Sequence, residues 1–289
     1  MRCSPRNGPV NWPRVTDANS YLVGELIDAG LERREARWLV EEFMPSADHD
    51  AIAALRLAAQ RRLAGEPLQY IIGHWPFRGL DLDVDPRVLI PRPETEELVG
   101  VALEELATHG VAAPLIVDLG CGSGAIGLAL VSELAERGVV ATLIALDESP
   151  DALEVARCNA LKHHILSVSF VRSNWTSELD ASWRGRVDLM VANPPYVGAD
   201  ELESLDAVLA HEPVSALVSP DARGVAGLED LADIISNAPA WLSEHGVLIC
   251  EHGHLQGDAV IELARDAGFS DVVDLDDLAG HPRILVARR

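Results

Sequence analysis

Residues 114–138 read PLIVDLGCGSGAIGLALVSELAERG, and the change of period at the centre of this stretch decides the fold. Its first seven residues are a nearly unbroken apolar run, as expected of a short strand buried on both faces. After Gly124 the apolar residues return at helical spacing, and the pattern closes at Gly138. Between the two lie Gly120, Gly122 and Gly124. Glycines there let the turn take positive φ and let backbone N–H groups approach a ligand with no Cβ in the way. Residues 122–127 also satisfy the G-x-G-x-x-G dinucleotide pattern. Glycine turns before helices occur for packing too, but the strand–turn–helix context points to a nucleotide-type cofactor.

Working outward, the same alternation repeats. VVATLIALD (139–147) is a second strand, and SPDALEVARCNALKH (149–163) a helix opened by Ser149 and Pro150. VSFVRSN (168–174), RVDLMVANPPY (186–196) and GVLICEHG (246–253) follow as strands, with VVDLDD (272–277) and RILVARR (283–289) as the last two. Strands alternating with helices imply an α/β fold, a doubly wound and mostly parallel sheet. Ligands of such sheets sit outside the carboxyl ends of the strands. Upstream, residues 16–66 carry three helical patterns: ANSYLVGELIDAG, ERREARWLVEEFM and DHDAIAALRLAAQRRLAG. The expected organisation is an unassigned segment 1–15, a helical domain 16–66, a hairpin and connector 67–91, and a catalytic domain 92–289 that opens with a helix over 94–110.

Charge narrows the partners. Residues 1–80 balance ten arginines against ten carboxylates, so the whole net charge of −23 falls on residues 81–289. An acidic domain repels phosphate backbones, which disfavours tight nucleic-acid binding. The single lysine, Lys162, suggests no function. Cys3, Cys121, Cys158 and Cys250 are scattered, with no metal-ligand spacing, and read as reduced thiols. Glu251 to His254, EHGH, invites a metal reading but lacks a third spaced ligand, so no metal is expected. No window approaches the ~18 apolar residues of a membrane span, and the first residues lack the apolar core of a signal peptide. A cytoplasmic location is expected.

Four strand ends carry candidate chemistry. The glycine turn is one. Asp147 ends the second strand, where a carboxylate can accept both hydroxyls of a ribose; the plain alternative is an acidic turn before a helix. Asn174 and Trp175 end the third, an amide and an aromatic suited to an adenine edge and face, although Trp is commonly core. Asn193-Pro194-Pro195-Tyr196 ends the fourth. Two prolines remove two donors and fix φ twice, making a stiff extended corner. The Asn193 side-chain oxygen and the Pro194 carbonyl can accept the two hydrogens of a planar nitrogen and aim its lone pair at a methyl group in line with a sulfonium. Tyr196 can close the pocket and lay its ring beside a cationic donor. A nicotinamide oxidoreductase leaves this corner idle, and a non-catalytic binding protein has no need of it.

With these residues in place the chain resembles the HemK/PrmC family of peptide chain release factor glutamine N5-methyltransferases. The resemblance runs from about residue 16 through ERREARWLV, GEPLQYIIGHWPFRGLDLDV, VLIPRPETEELV, VDLGCGSGAIGLAL, ALDESPDALEVARCNA, VANPPYV, HEPVSAL, EHGHLQG and DLAGHPRILVARR. It implies a Rossmann-like class I sheet with S-adenosyl-L-methionine as donor. The implied acceptor is the glutamine of the Gly-Gly-Gln loop of class I release factors, with the helical domain helping to dock them. It places Gly120, Cys121, Gly122, Ser123 and Gly124 along the donor, Asp147 at its ribose and Asn174 with Trp175 by its adenine. Asn193, Pro194, Pro195 and Tyr196 then hold the glutamine amide, with Asn193 also among the residues that bind the donor and Arg92 in support. Three features depart from the family pattern: Asn174 where many relatives have Asp, a longer loop over 219–230, and residues 1–14, which match nothing. The same chemistry would serve a ribosomal-protein glutamine methyltransferase. A DNA or RNA amine methyltransferase calls for a basic face that the charge distribution does not supply.

Overall fold

The computed structural model describes residues 17–44, 49–204 and 207–289. Cys3 and the segment 1–15 lie outside the described residues. Helices α1 (Asp17–Asp28), α2 (Arg33–Phe43) and α3 (His49–Leu63) share one apolar core, built on Val23, Leu26, Leu39, Val40 and Leu55. A short helix α4 (Leu68–Ile72) contributes Leu68 and Ile71 to that core. The hairpin β1 (His74–Phe77) and β2 (Leu80–Asp83) follows. Its two-residue turn, Arg78-Gly79, has both φ angles positive, at 45° and 80°. That geometry suits the twist of a tight hairpin.

Next come α5 (Pro93–His109), β3 (Leu115–Leu119), α6 (Ala125–Glu136), β4 (Thr142–Asp147), α7 (Pro150–Lys162), β5 (Val168–Arg172) and β6 (Val187–Ala192). After a run of 3₁₀ turns the chain continues through α8 (Glu229–Asn237), β7 (Leu242–Glu251), α9 (Gly257–Asp266), β8 (Asp271–Asp276) and β9 (Pro282–Arg288). One seven-stranded sheet results, in the order β5-β4-β3-β6-β7-β9-β8. Strands β3 to β7 pair in parallel, and β9 and β8 add antiparallel at one edge. The mostly parallel, doubly wound expectation is borne out.

Side-chain parity assigns the two faces. In β3, Ile116 joins the core under α5, α6 and α7, while Leu115, Val117 and Leu119 join the core under α8 and α9. Asp118 shares the Ile116 face and is fully buried. Strand order reverses at β3, whose neighbours are β4 and β6, so a crevice opens beyond their carboxyl ends. Among the described residues no helix is long and apolar enough to cross a membrane. Cys121 and Cys250 are free and buried.

Candidate active site

A cleft of about 610 Å³ occupies that crevice, within the roughly 300–1,000 Å³ of small-molecule sites. Four strand ends line it: Gly120, Cys121, Gly122 and Ser123 after β3, Asp147 at the end of β4, Asn174 and Trp175 after β5, and Asn193, Pro194 and Pro195 after β6. Arg92 and Thr95 of the connector and α5 close one side. The expected residues therefore converge, with two exceptions. Gly124 does not line the cleft; its φ is +84°, and a Cβ there would lie 2.8 Å from Leu128, so it serves the entry into α6. Tyr196 also stands away from the lining, with its ring packed against the α8–α9 core.

The glycine turn is built as a cradle. Gly122 has φ +53° and nothing within 4 Å of where a Cβ would stand, while the Cys121 N–H is spent on the Leu146 carbonyl at 2.9 Å. Asp147 braces the turn from β4. Its Oδ2 accepts from the Gly122 N–H at 2.8 Å and its Oδ1 from the Ser149 N–H at 2.9 Å. Burial pushes the Asp147 carboxyl upward, and these two N–H groups oppose the shift. Below the turn, Asp118 Oδ2 accepts from the Gly127 N–H at 2.9 Å, while its Oδ1 is buried without a partner among the described residues. Desolvation raises that carboxyl to about 7.

Trp175 holds φ at 45°, a strained value for a bulky residue. Its ring lies 3.2 Å from where a Gly120 Cβ would be, so a side chain there would press on the ring. The Ser173 hydroxyl donates to the Trp175 carbonyl at 2.7 Å, and the indole N–H donates to Asp230 Oδ1 at 3.1 Å. Asp230 also lines the cleft. Sequence reasoning gave it no role, because it lies on α8, 55 residues from the tryptophan.

At the end of β6 the Asn193 Nδ2 donates to Thr95 Oγ1 at 3.0 Å, and the Thr95 hydroxyl donates to Glu251 Oε2 at 2.7 Å. Tyr196 donates its hydroxyl to Glu251 Oε1 at 3.1 Å, so it backs the corner instead of covering the pocket. Thr95 and Glu251 are 3% and 2% exposed, too enclosed for water to replace either partner. The Gln256 amide donates to the Tyr196 carbonyl at 3.0 Å and to the Ala226 carbonyl at 2.7 Å, stapling the corner to the 219–230 loop. Arg92 donates to Glu212 Oε1 at 2.5 Å, and the Ile90 N–H to Glu212 Oε2 at 3.0 Å. Thus Arg92 ties the connector to the HEPVSAL segment, whose Pro213, Ser215 and Ala216 complete the cleft wall.

The cleft fits an adenosine-based methyl donor on its own features: an open glycine cradle, a carboxylate at the end of β4 and an aromatic face beside it. Comparison with known proteins agrees. The family model "Methyltransferase small domain" matches residues 100–216. A Thermus thermophilus 16S rRNA methyltransferase, solved in complex with AdoMet and guanosine, shares the fold. The TM-score is 0.52 at 18% identity, over 75% of this chain and 49% of that one. The chain thus has the class I methyltransferase fold. Its relatives narrow the class. The release factor glutamine methyltransferase of Vibrio cholerae is 39% identical over 237 residues, 82% of this chain and 78% of that protein. That of Bordetella pertussis is 39% identical over 271 residues, covering 90% and 96%. The chain belongs to this family of release factor glutamine methyltransferases, as the resemblance read from residues 90–96 and 193–196 implied.

Proposed function

We propose that the protein methylates N5 of the glutamine side chain in the Gly-Gly-Gln loop of class I peptide chain release factors. The observation that carries this reading is the Asn193 amide at the mouth of a donor cleft, its NH₂ held by Thr95 and its oxygen without a partner among the described residues. An amide nitrogen is a weak nucleophile because its lone pair is delocalised. Two acceptors fixed around it, Asn193 Oδ1 and the Pro194 carbonyl, orient its hydrogens and bring the lone pair toward the donor. Bound S-adenosyl-L-methionine supplies an electrophilic methyl group on a sulfonium. On the protein side, the 120–123 turn and Asp147 hold the ribose end, and Asn174 with Trp175 takes the adenine. Pro195 keeps the corner stiff.

Residues 16–66 act in this reading as the docking domain, 67–91 as the connector and 92–289 as the catalytic domain, working in the cytoplasm without tight nucleic-acid or membrane contact. Arg33, Arg34 and Arg37 stand exposed on α2, with the Arg34 guanidinium 4.3 Å above the Trp38 ring. They set positive side chains on the part of the chain that carries no net charge. The test is Asn193→Ala. Transfer to a release factor should fall below detection, while donor affinity in a titration stays within about twofold, since the lost contacts belong to the acceptor. Wild-type turnover by this variant would refute the clamp.

A further inference from the structure

We propose that Thr95 and Glu251 are positioning residues that set the direction of the Asn193 amide. The inference rests on the clamp reading of Asn193 and explains how that clamp keeps its sense. The two ends of an asparagine amide are alike in shape and opposite in hydrogen-bonding character. Turned one way, Asn193 offers the incoming glutamine an acceptor. Turned the other way, it meets the glutamine NH₂ with its own NH₂, and the clamp becomes a repulsion.

The chain of hydrogen bonds removes that freedom. An ionised carboxylate only accepts, so the Thr95 proton goes to Glu251 Oε2 at 2.7 Å. Having spent its one proton, the Thr95 hydroxyl can only accept from its other neighbour. The Asn193 atom 3.0 Å away must then be Nδ2, and Oδ1 is left for the cleft. The second carboxylate oxygen is taken by the Tyr196 hydroxyl at 3.1 Å, which holds Glu251 in place from the far side.

Strand parity brings these groups together. In β6 Leu189 and Val191 face α5, and so does the position of Asn193, one step past the strand. In β7 Val247 and Ile249 face α5, and Glu251 continues the series. The register pairs Ala192 with Cys250, so residues 193 and 251 emerge side by side. Thr95, in the first turn of α5, meets both. A buried glutamate serving the fold alone would need no hydroxyl relay to the cleft. Glu251 does not line the cleft, and it reaches the Asn193 amide through Thr95.

The experiment uses the full-length enzyme, labelled S-adenosyl-L-methionine and a purified class I release factor, with kcat, KM and donor affinity measured separately. Thr95→Val keeps the shape and removes the relay. It should lower kcat about 100-fold, the scale of a misplaced reacting group, with KM and donor affinity within about twofold. Thr95→Ser should recover most of that loss. In Glu251→Gln the new NH₂ can donate to Thr95 and reverse the relay, so kcat should fall comparably although no cleft contact is lost. Thermal melts check that each variant folds. If Glu251→Gln does not fold, the Thr95→Val and Thr95→Ser pair decides. Wild-type kcat in Thr95→Val, or a loss that Thr95→Ser does not recover, would overturn the proposal. Turnover by Asn193→Ala would instead sink the clamp reading beneath it, and the relay with it.

Discussion

At the scale of single residues, the strand-end side chains do the work, and their electrostatics are set by burial. The Glu251 carboxyl is pushed upward by desolvation; the Thr95 and Tyr196 hydroxyls and the charge of Arg283 oppose this, and Glu94 adds to it. Once protonated, Glu251 no longer compels the Thr95 hydroxyl to donate toward it, and the Asn193 amide is free to turn. The kcat of the wild type should therefore decline on the acid side at a pH above the ~4.3 of an ordinary glutamate. A kcat–pH profile of Glu251→Gln should lack that limb; a superimposable profile would contradict the assignment. Asp147→Ala removes the brace of the glycine turn as well as a carboxylate from the cleft. Donor affinity should drop on the order of 10- to 100-fold, the scale of hydrogen bonds to a charged group, and a titration reads it directly. Asp147 and Asn193 were legible in the sequence because each stands where an apolar run stops. Thr95 and Glu251 were not, because their bond spans 156 residues and depends on the register of β6 against β7. The parity of GVLICE against LMVAN carried the signal. Tyr196 was placed on the wrong side of the corner for a related reason: a motif gives the order of residues and not the direction of a ring.

At the scale of elements, the strands were the easiest to read. The central ones, β3, β4 and β6, are short apolar runs closed by polar residues, and helices separate them. Helix α4 went unread within the connector, since it has five residues between Pro67 and the left-handed Gly73. The 219–230 loop, joined to the catalytic corner by Gln256, is also seated against it by a close approach. A Cβ on Gly227 would stand 2.3 Å from the Tyr196 carbonyl oxygen, and its φ is +64°. Gly227→Ala therefore combines backbone strain with a forced shift of residues 196–197. Stability should fall by about 2–3 kcal/mol, read as a lower thermal midpoint, and kcat should fall with it. An unchanged midpoint and rate would show that the loop is not fixed to the corner.

Across the whole molecule, polar bridges join the helical part, the hairpin and the sheet. His74 of β1 bonds Asp81 at 2.5 Å and Glu42 of α2 at 3.1 Å. Lys162 of α7, 5% exposed, reaches Asp81 at 2.9 Å and Asp83 at 2.6 Å. The lone lysine, dismissed on sequence, thus helps to fasten the hairpin to the catalytic part, as Arg78 of the hairpin turn does through Glu133 of α6. Asn159 extends the bridge, donating to the carbonyls of Asp83 and of Ser123 in the glycine turn. Hydrogen bonds donated to Asp81 and then to Glu42 raise His74 to about 9. Burial works against the Asp81 charge, but His74 and Lys162 pull its pKa down to about 2. A raised His pKa stabilises fully below the unfolded value of ~6.5 and is lost as pH climbs through about 9; the lowered Asp contributes above ~3.9 and is lost as pH falls toward 2. Thermal midpoints should thus decline between pH 6.5 and 9.5, and His74→Gln should flatten that limb. An equal slope in the variant would remove the bridge from the account.

The most direct measurement is transfer of labelled methyl from S-adenosyl-L-methionine to a purified class I release factor, with peptide mass spectrometry to place the label and ribosomal proteins and unmethylated DNA alongside. The account predicts one methyl group on the Gly-Gly-Gln glutamine and none on the competitors. Label on a ribosomal protein or on DNA, with the release factor untouched, would contradict it.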